Sequence, residues 1–222
     1  MAMPPRKRGP RRSVDRSTVL DAALALVDSG GLQALTMRSL AAEVGLTPGA
    51  LYTYFPDRAA IVSALVDALL AEADTSVLAT AWPWQERITT FALGLRDVLL
   101  RHPGIVPALL GDAFRGPVAL TVGERLLDAL ADAGLPPDEA ARASYGVMVY
   151  VLGAIALEAA EIPPGAPAAP EDVRIAERRA ALGHLDPSAH PRTHAAADTI
   201  AAYVSTDQFR WGLNRMLTGL RR

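Results

Sequence analysis

Residues 35–65 read LTMRSLAAEVGLTPGALYTYFPDRAAIVSAL, and this stretch contains the signals for two short helices joined by a tight turn. Thr36 is a natural N-cap for the first helix, which a Val-Gly pair ends. Thr47 is the N-cap of the second helix, and Pro48 takes its first position, where an N–H group would have no helical partner. The next proline stops this helix, so we expect about two turns. The pattern predicts a helix-turn-helix that begins at Thr36 and ends at Phe55.

The rest of the chain is also predicted to be helical. Ala and Leu recur at helical spacing, and β-branched residues do not alternate over any sustained stretch. One helix is expected over residues 15–29, and Asp57 caps a long fourth helix. Beyond about Val77, Pro and Gly recur roughly every two dozen residues, which indicates a helical bundle. The bundle helices are expected near residues 83–101, 104–110, 117–133, 137–161, 194–204 and 206–220.

These elements predict an all-α fold with two domains. Residues 1–14 form a basic and flexible arm, residues 15–60 a three-helix helix-turn-helix domain, and residues 61–222 a helical bundle. Within the bundle, residues 161–192 include IPPGAPAAP and LDPSAHPR. A short helix fits near residues 171–182, but the length of the connection predicts a mobile segment.

The formal net charge of −2 hides an uneven distribution. Residues 1–58 hold eight basic and five acidic residues, a net of +3, which leaves −5 for the remainder. Five of the positive charges lie between Arg6 and Arg12, without an acidic residue among them. This density suits phosphate contact, and an arm before the first helix is placed to enter a minor groove. A solvated, disordered tail is the alternative interpretation.

Several classes of protein are excluded or disfavoured by composition. The 222 residues contain no cysteine, so disulfides and thiolate metal sites are excluded and a cytoplasmic location is favoured. Acidic and basic residues interrupt every apolar segment before the roughly 18 residues of a membrane span, so we expect a soluble protein without a membrane partner. The basic N-terminus lacks the apolar block of a secretory signal.

Residues 35–65 resemble the DNA-binding domain of the TetR family. The resemblance rests on a Thr cap, a small-residue helix, a Gly-Leu turn, a Thr-Pro-Gly-Ala helix start and LYTYFPDR in that order, and it extends strongly over residues 12–70. It implies that Arg38 reaches a guanine, and that Tyr52, Tyr54 and Arg58 contact phosphates. Thr53 replaces the bulky residue of the tetracycline repressor, so the operator sequence does not transfer.

The chemistry of these residues points to DNA independently. Small residues follow Thr47, so the backbone can approach base edges in a major groove about 12 Å wide. The hydroxyls of two tyrosines on one short helix need polar partners, which DNA would supply. A helix-turn-helix that serves only as a packing motif is the alternative. The predicted DNA-binding residues are Arg6, Arg8, Arg11, Arg12, Thr36, Arg38, Thr47, Pro48, Gly49, Ala50, Tyr52, Thr53, Tyr54 and Arg58.

Two C-terminal helices are candidates for a dimer interface. The helix around residues 145–160 is apolar nearly all round and should be buried on two sides, whereas the last helix has one apolar face. The resemblance implies that both helices pair with their symmetry mates in a four-helix interface, and an ordinary monomeric core is the alternative. The predicted interface residues are Tyr145, Val149, Leu152, Ala156, Phe209, Leu213, Met216, Leu217 and Leu220.

Large adaptable residues in the same half are available to line a cavity for a small molecule. LRDVLLRHPG, residues 95–104, resembles the tetracycline-repressor-type C-terminal domain, in which a histidine at the position of His102 helps to hold a magnesium-bound drug. Pro103 follows here and no matching polar contacts are evident, so we expect no metal and no cofactor. Pro191 separates His190 from His194, which disfavours a zinc site. The predicted ligand-binding residues are Trp82, Phe91, His102, Phe114, Tyr145 and Met148.

Taken together, these features predict a repressor that binds a palindromic DNA operator as a homodimer and is released by a small molecule in the C-terminal domain. The sequence contains no phosphate-binding glycine loop, HExxH, nucleophile elbow or paired-carboxylate motif, so it is not predicted to be an enzyme. A helical protein-interaction adaptor without sequence-specific DNA binding is the competing class.

Overall fold

The computed structural model describes residues 14–111, 116–163 and 165–220. These residues form helices and contain no strand, so the predicted all-α class is confirmed. The arm residues Arg6, Arg8, Arg11 and Arg12 and the predicted ligand residue Phe114 lie outside the described residues. The α-helices are α1 (Arg16–Gly30), α2 (Met37–Glu43), α3 (Pro48–Leu51), α4 (Arg58–Glu72), α5 (Trp84–Arg101), α6 (Val106–Leu109), α7 (Pro117–Asp132), α8 (Pro137–Ala159), α9 (Glu171–Gly183), α10 (Pro191–Ala195), α11 (Ala197–Ala201) and α12 (Thr206–Gly219), with 3-10 helices at Thr75–Ala79 and Pro103–Ile105.

Helices α1 to α3 form the head of the molecule, and each begins after a residue whose side chain accepts a hydrogen bond from the first turn. These caps satisfy N–H groups that have no partner inside the helix. The bonds from Thr18 hold the pKa of Asp15 at about 2. The caps are Asp15 on the N–H of Thr18 (2.8 Å), Thr36 on Ser39 (3.0 Å) and Thr47 on Ala50 (3.2 Å).

A tight glycine turn joins α2 to α3, as the sequence predicts. Gly45 adopts a φ of 68°, which residues with a side chain rarely do. The N–H of Leu46 bonds to the carbonyl of Ala41 at 2.8 Å, and that of Gly45 to Ala42 at 3.2 Å. This pair of bonds satisfies the last carbonyls of α2 and redirects the chain into α3.

The third helix is shorter than predicted. It ends at Leu51 after about one turn, and residues 52–54 form turns rather than a second helical turn to Phe55. Phe55 precedes a proline, and that neighbour disfavours helical backbone at Phe55. The N–H of Tyr54 bonds to the carbonyl of Leu51 at 3.0 Å, three residues back, so the segment tightens as it leaves α3.

Two predicted bundle helices are divided. The segment 104–110 is a 3-10 helix followed by α6, and the segment 194–204 is replaced by α10 and α11. The break between α10 and α11 falls at Ala196, whose φ of −108° and ψ of 14° lie outside the helical range. The 3-10 helix before α5 was not predicted, and it follows Asp74, whose φ of 46° turns the chain away from α4.

Helix α9 lies where a short helix was predicted inside the connection 161–192. Arg174 and Arg178 on α9 each bond to Glu161 at 3.0 Å, and Arg174 also bonds to Glu158 at 2.6 Å. These ion pairs join α9 to the end of α8. The mobility of the connection stays a prediction.

Helix α4 connects the head to the bundle, and one hydrophobic core runs through both. Ile61 near its start is fully buried, and Leu70 near its end is 1% exposed. The helix contacts α1 in the head and α5 and α7 in the bundle. A displacement of α4 therefore moves residues on both sides of the molecule.

Helix α8 is the one helix in the described residues that is long and apolar enough to cross a membrane, judged by length and composition alone. Val147, Val151 and Ile155 on one side of it are buried within the chain. We interpret α8 as a bundle helix. One of its apolar sides packs inside the chain, and its other apolar side is what an interface with a second subunit requires.

Candidate nucleic-acid interface and ligand cavity

The head presents a continuous exposed surface at the start of α2 and around α3. Arg38 lies on α2, and Tyr52, which follows α3, is 53% exposed. Leu51 and Phe55 are buried in the core instead. The other exposed residues of the predicted DNA-binding set are Thr36, Thr47, Pro48, Gly49, Thr53 and Arg58, and Ala50 and Tyr54 are half-buried.

Nothing inside the protein requires a glycine at position 49. A Cβ built there meets only the hydroxyl oxygen of Thr47, at 4.0 Å, and the φ of Gly49 is not positive. The hydroxyl of Thr53 bonds back to the carbonyl of Ala50 at 2.7 Å, which keeps that side chain close to the helix. The surface around Gly49 therefore allows another molecule to approach the backbone.

Tyr54 and Arg58 have partners inside the head, which the sequence did not indicate. The hydroxyl of Tyr54 donates to the carbonyl of Val14 at 2.7 Å. Arg58 donates through Nε to the carbonyl of Leu35 and through Nη2 to that of Leu32, both at 2.6 Å. Their donors thus hold the chain segments before α1 and between α1 and α2, which a sequence pattern cannot reveal because the partners are distant in sequence.

A cavity of about 480 Å³ lies between α4, α5, α7 and α8. Three of the residues predicted to bind a ligand line it, and their side chains are mainly apolar: Phe91, Tyr145 and Met148. The other lining residues are Leu70, Ile88, Ala92, Leu95, Ala119, Leu120, Val122, Gly123, Glu124, Leu126, Leu127, Ser144, Val147, Val151 and Leu152.

Trp82 and His102, which were also predicted to bind a ligand, do not line this cavity. Trp82 is 51% exposed in the turn before α5. His102 follows the end of α5, and its Nδ1 lies 2.9 Å from a carboxylate oxygen of Asp28 in α1. The proline after His102 begins a 3-10 helix and takes the chain towards the head instead of the cavity.

The end of α1 is held by the bundle at three points. Besides the contact with His102, the carbonyl of Asp28 accepts a hydrogen bond from Gly165 at 3.0 Å. A Cβ at Gly104 would lie 2.3 Å from the carbonyl oxygen of Val27, so only glycine permits this approach. The joint between head and bundle is therefore close-packed.

Helix α4 has its own joint with the cavity wall. The carboxylate of Asp67 accepts hydrogen bonds from the N–H groups of Val118 (3.2 Å) and Ala119 (3.0 Å) at the start of α7. Ala119 lines the cavity, as does Leu70, which lies one turn after Asp67 on α4. Helix α4 thus forms part of the cavity wall through Leu70, and its Asp67 caps α7, which forms another part of the wall.

A buried network of ion pairs ties the far end of the bundle together. Arg96 bonds to Glu158 at 2.8 Å, and both are buried. Glu171 accepts hydrogen bonds from the N–H (2.9 Å) and hydroxyl (2.8 Å) of Thr206. Burial opposes ionisation of Glu171, but the bonds from Thr206 and the charges of Arg96 and Arg174 outweigh it and lower its pKa. The partners lie far apart in sequence, so no spacing indicated them.

Helices α8 and α12 carry an exposed apolar surface. Tyr145, Val149 and Leu157 on α8 are 65%, 51% and 68% exposed, and Trp211 on α12 is 57% exposed. Leu157 and Trp211 were not in the predicted interface. We call these four residues the α8–α12 surface.

The predicted interface face of α12 is instead buried inside the chain, so that part of the prediction is wrong. Its apolar stripe packs on α5 and α8 of the same subunit, since α12 closes the bundle. Leu152 is also buried, facing the cavity. The buried α12 residues are Phe209, Leu213 and Leu217, whereas Met216, Leu220 and the α8 residue Ala156 are half-buried.

Among the described residues, no group of three or more His, Asp or Glu side chains is placed to hold a metal ion.

The fold, the head surface and the cavity define a helix-turn-helix protein whose head shares a helix with a cavity-bearing domain. The family model described as bacterial regulatory proteins, tetR family, matches residues 19–65, and the tetracyclin repressor-like C-terminal domain matches residues 80–222. The chain belongs to the TetR family of transcriptional regulators, which confirms the resemblance found in residues 35–65.

Known proteins similar to this chain agree with the family. The transcriptional regulator SCO7222 of Streptomyces coelicolor is 32% identical with a TM-score of 0.75, over 93% of this chain and 97% of that one. The HTH-type transcriptional repressor DrrR1 of Streptomyces coeruleorubidus is 26% identical over 66% of this chain, which spans 54% of that protein. The class A tetracycline repressor of Escherichia coli is 30% identical over 65% of this chain and 67% of its own length.

Proposed function

We propose that this protein is a cytoplasmic transcriptional repressor that binds a palindromic DNA operator as a homodimer and is released by a small molecule bound in the cavity. The observation that carries the proposal is the position of α4. Its first residues follow α3 and the turn after it, and Leu70 near its end lines the cavity. A molecule that fills the cavity therefore contacts the helix that positions the head.

On the DNA side, we assign the contacts to the exposed residues of α2 and α3. Arg38 and Tyr52 supply a cation and a hydroxyl, and Gly49 allows close approach of the backbone to base edges or phosphates. The arm residues Arg6 to Arg12 add a second contact in this proposal. Tyr54 and Arg58 act by holding the head in shape, since the hydroxyl of Tyr54 donates to Val14 and two N–H groups of Arg58 donate to the loop after α1.

Release follows from geometry. Two heads of a dimer must lie about 34 Å apart, or a multiple of that spacing, to enter successive major grooves on one side of the duplex. An occupant that pushes on Leu70 or Ala119 shifts α4 directly, or through the Asp67 carboxylate, and so changes the spacing of the heads. A ligand that binds the shifted state more tightly moves the population away from the DNA-binding state.

The test is a fluorescence anisotropy titration of the purified protein with the DNA upstream of its own gene and with a shuffled duplex, at about 0.15 M salt. We expect the upstream duplex to bind at least about 1,000-fold more tightly than the shuffled one. Arg38→Ala should weaken operator binding by about 1–3 kcal/mol, because a contact to a base edge is lost. The exposed Arg192→Ala on α10 serves as the matched control and should bind as the parent does.

Equal binding of the two duplexes would overturn the proposal. In that case the head would be a surface for protein partners, and the class of helical interaction adaptors would be favoured. Circular dichroism of Arg38→Ala should match the parent, because its side chain is exposed and makes no contact in the core.

A further inference from the structure

The lining of the cavity is almost entirely apolar, and only one of its few polar side chains is charged. The polar groups are the hydroxyls of Ser144 and Tyr145 and the carboxylate of Glu124. Ser144 bonds to the carbonyl of Ala141 at 2.8 Å. Glu124 is thus the one charged residue among the described lining residues, and it is acidic.

The basic residues on the surrounding helices are used elsewhere. Arg142 on α8 lines a separate groove beside Gly219 and Leu220. The other arginines of α5 and α7 are paired as follows: Arg87 with Asp132, Arg96 with Glu158, Arg101 with Glu72, and Arg125 with the carbonyl of Thr75.

Glu124 is exposed at the mouth of the cavity on α7, and no described residue bonds to it. Beside apolar walls the field of a carboxylate is screened less than in open water, so its charge acts over the mouth. It attracts a cation and repels an anion, while the apolar walls bind the uncharged part of either molecule.

We propose that the cavity selects lipophilic cations, such as bulky apolar amines or onium ions, over anions of the same shape, with Glu124 as the counter-charge. The proposal rests on the ligand-responsive function given above and names the class of ligand. The volume of about 480 Å³ is suited to a ligand of drug size rather than to a single small ion.

The test uses tetraphenylphosphonium and tetraphenylborate, which share four phenyl rings and differ in the sign of their charge. Isothermal titration calorimetry without DNA measures both dissociation constants in the parent and in Glu124→Gln. The cation-to-anion ratio of dissociation constants in Glu124→Gln is divided by the same ratio in the parent. Differences between the two probes that do not depend on Glu124 therefore cancel. We expect Glu124→Gln to shift the cation-to-anion preference by about tenfold towards the anion, since an attraction and a repulsion are removed together.

Asp128→Asn is the matched control, because Asp128 lies one turn further along α7, is exposed and does not line the cavity. It should shift the preference by less than about twofold, consistent with screening of exposed charges. A shift below twofold in Glu124→Gln, or no binding of the cation to the parent, would overturn the proposal.

Operator binding, measured separately, distinguishes this inference from the proposed function. If the cation binds with the predicted preference but does not release DNA, the ligand class stands and the proposed mode of regulation fails. If the operator binds specifically but the probes show no dependence on Glu124, the regulator stands and the ligand class fails.

Discussion

Gly49 in the head and Arg58 at the start of α4 lie close in sequence but have different surroundings. Arg58 donates to the carbonyls of Leu35 and Leu32, so its charge is used to hold the loop between α1 and α2. Gly49 faces open space, so its lack of a side chain has no use inside the protein. At the scale of the residue, the intramolecular partners of a group decide whether its chemistry remains available to DNA.

Gly49→Ala should therefore keep the fold and lose DNA affinity. The free energy of unfolding should rise by up to about 1 kcal/mol, because alanine favours helix over glycine. Operator binding should weaken by about tenfold, or about 1.4 kcal/mol, because the methyl group separates backbone and DNA. Gly183→Ala, exposed at the end of α9 with open space around it, is the control and should leave DNA binding unchanged. Unchanged operator affinity in Gly49→Ala would show that the backbone does not approach DNA at this position.

Glu171 should make stability depend on pH. Its pKa is lowered in the folded protein, so its contribution is fully present above the ordinary glutamate value of 4.5 and is lost as the pH falls through the lowered value. Denaturant titrations of the parent between pH 6 and about pH 3 should show this loss, and Glu171→Gln should reduce it. The exposed Glu177→Gln on the same helix should follow the parent. Identical pH profiles for Glu171→Gln and the parent would contradict the assignment.

At the scale of the element, α4 differs from the other helices because it belongs to both domains. Asp67 in its middle caps α7, and Gly116 leaves space for that carboxylate, since a Cβ there would lie 2.3 Å from it. A helix fixed in this way moves together with the start of α7. The coupling between cavity and head thus depends on a cap as well as on apolar packing.

Asp67→Ala should lower both stability and operator affinity. Removing the cap should cost about 1 kcal/mol of unfolding free energy, and it should also loosen the attachment of α4. Ser205→Ala removes the cap of α12, 3.2 Å from the N–H of Gln208, and provides a control of similar cost away from α4. We expect only Asp67→Ala to weaken operator binding, measured by anisotropy at a temperature where both variants are folded. Equal DNA affinity in the two variants would mean that the cap does not position the head.

At the scale of the whole molecule, the α8–α12 surface remains uncovered. Its four large apolar side chains lie on helices that close the bundle, and such a patch is typical of a surface for association. A second copy of the chain is the occupant that the proposed function requires, because a palindromic operator needs two heads related by twofold symmetry.

Leu157→Glu should therefore shift the protein from dimer to monomer. We expect the dissociation constant of the dimer to rise by about 100-fold or more, since the change buries a carboxylate without a partner. Operator affinity should fall with it, because a monomer contacts one half-site. Val173→Glu on α9 changes another exposed apolar residue, 43% exposed, and should remain dimeric in sedimentation velocity. A dimer in both variants would place the interface elsewhere.

The helix-turn-helix was predicted closely because its signals are local. Thr36, Thr47 and Gly45 act on backbone groups within a few residues, so a cap or a positive φ is visible in the sequence. The end of α3 was predicted at Phe55 rather than at Leu51. The proline at position 56 shows that a helix must stop, but the sequence pattern does not show how many residues before it the helical hydrogen bonds give way to turns. The break between α10 and α11 was also missed, because no proline or glycine marks it between residues 192 and 204.

The sequence by itself determined the all-α class, the head with its tight turn, and the family, because periodicity, caps and turn residues are short-range properties. Only the tertiary structure decided which side of α8 and α12 faces solvent, that His102 meets Asp28 instead of the cavity, and that Tyr54 and Arg58 bond within the head. An apolar stripe indicates that a helix buries one face, but it does not show whether that face packs against the same chain or against a second subunit. That choice depends on contacts between residues far apart in the chain, which form only when the whole core is packed.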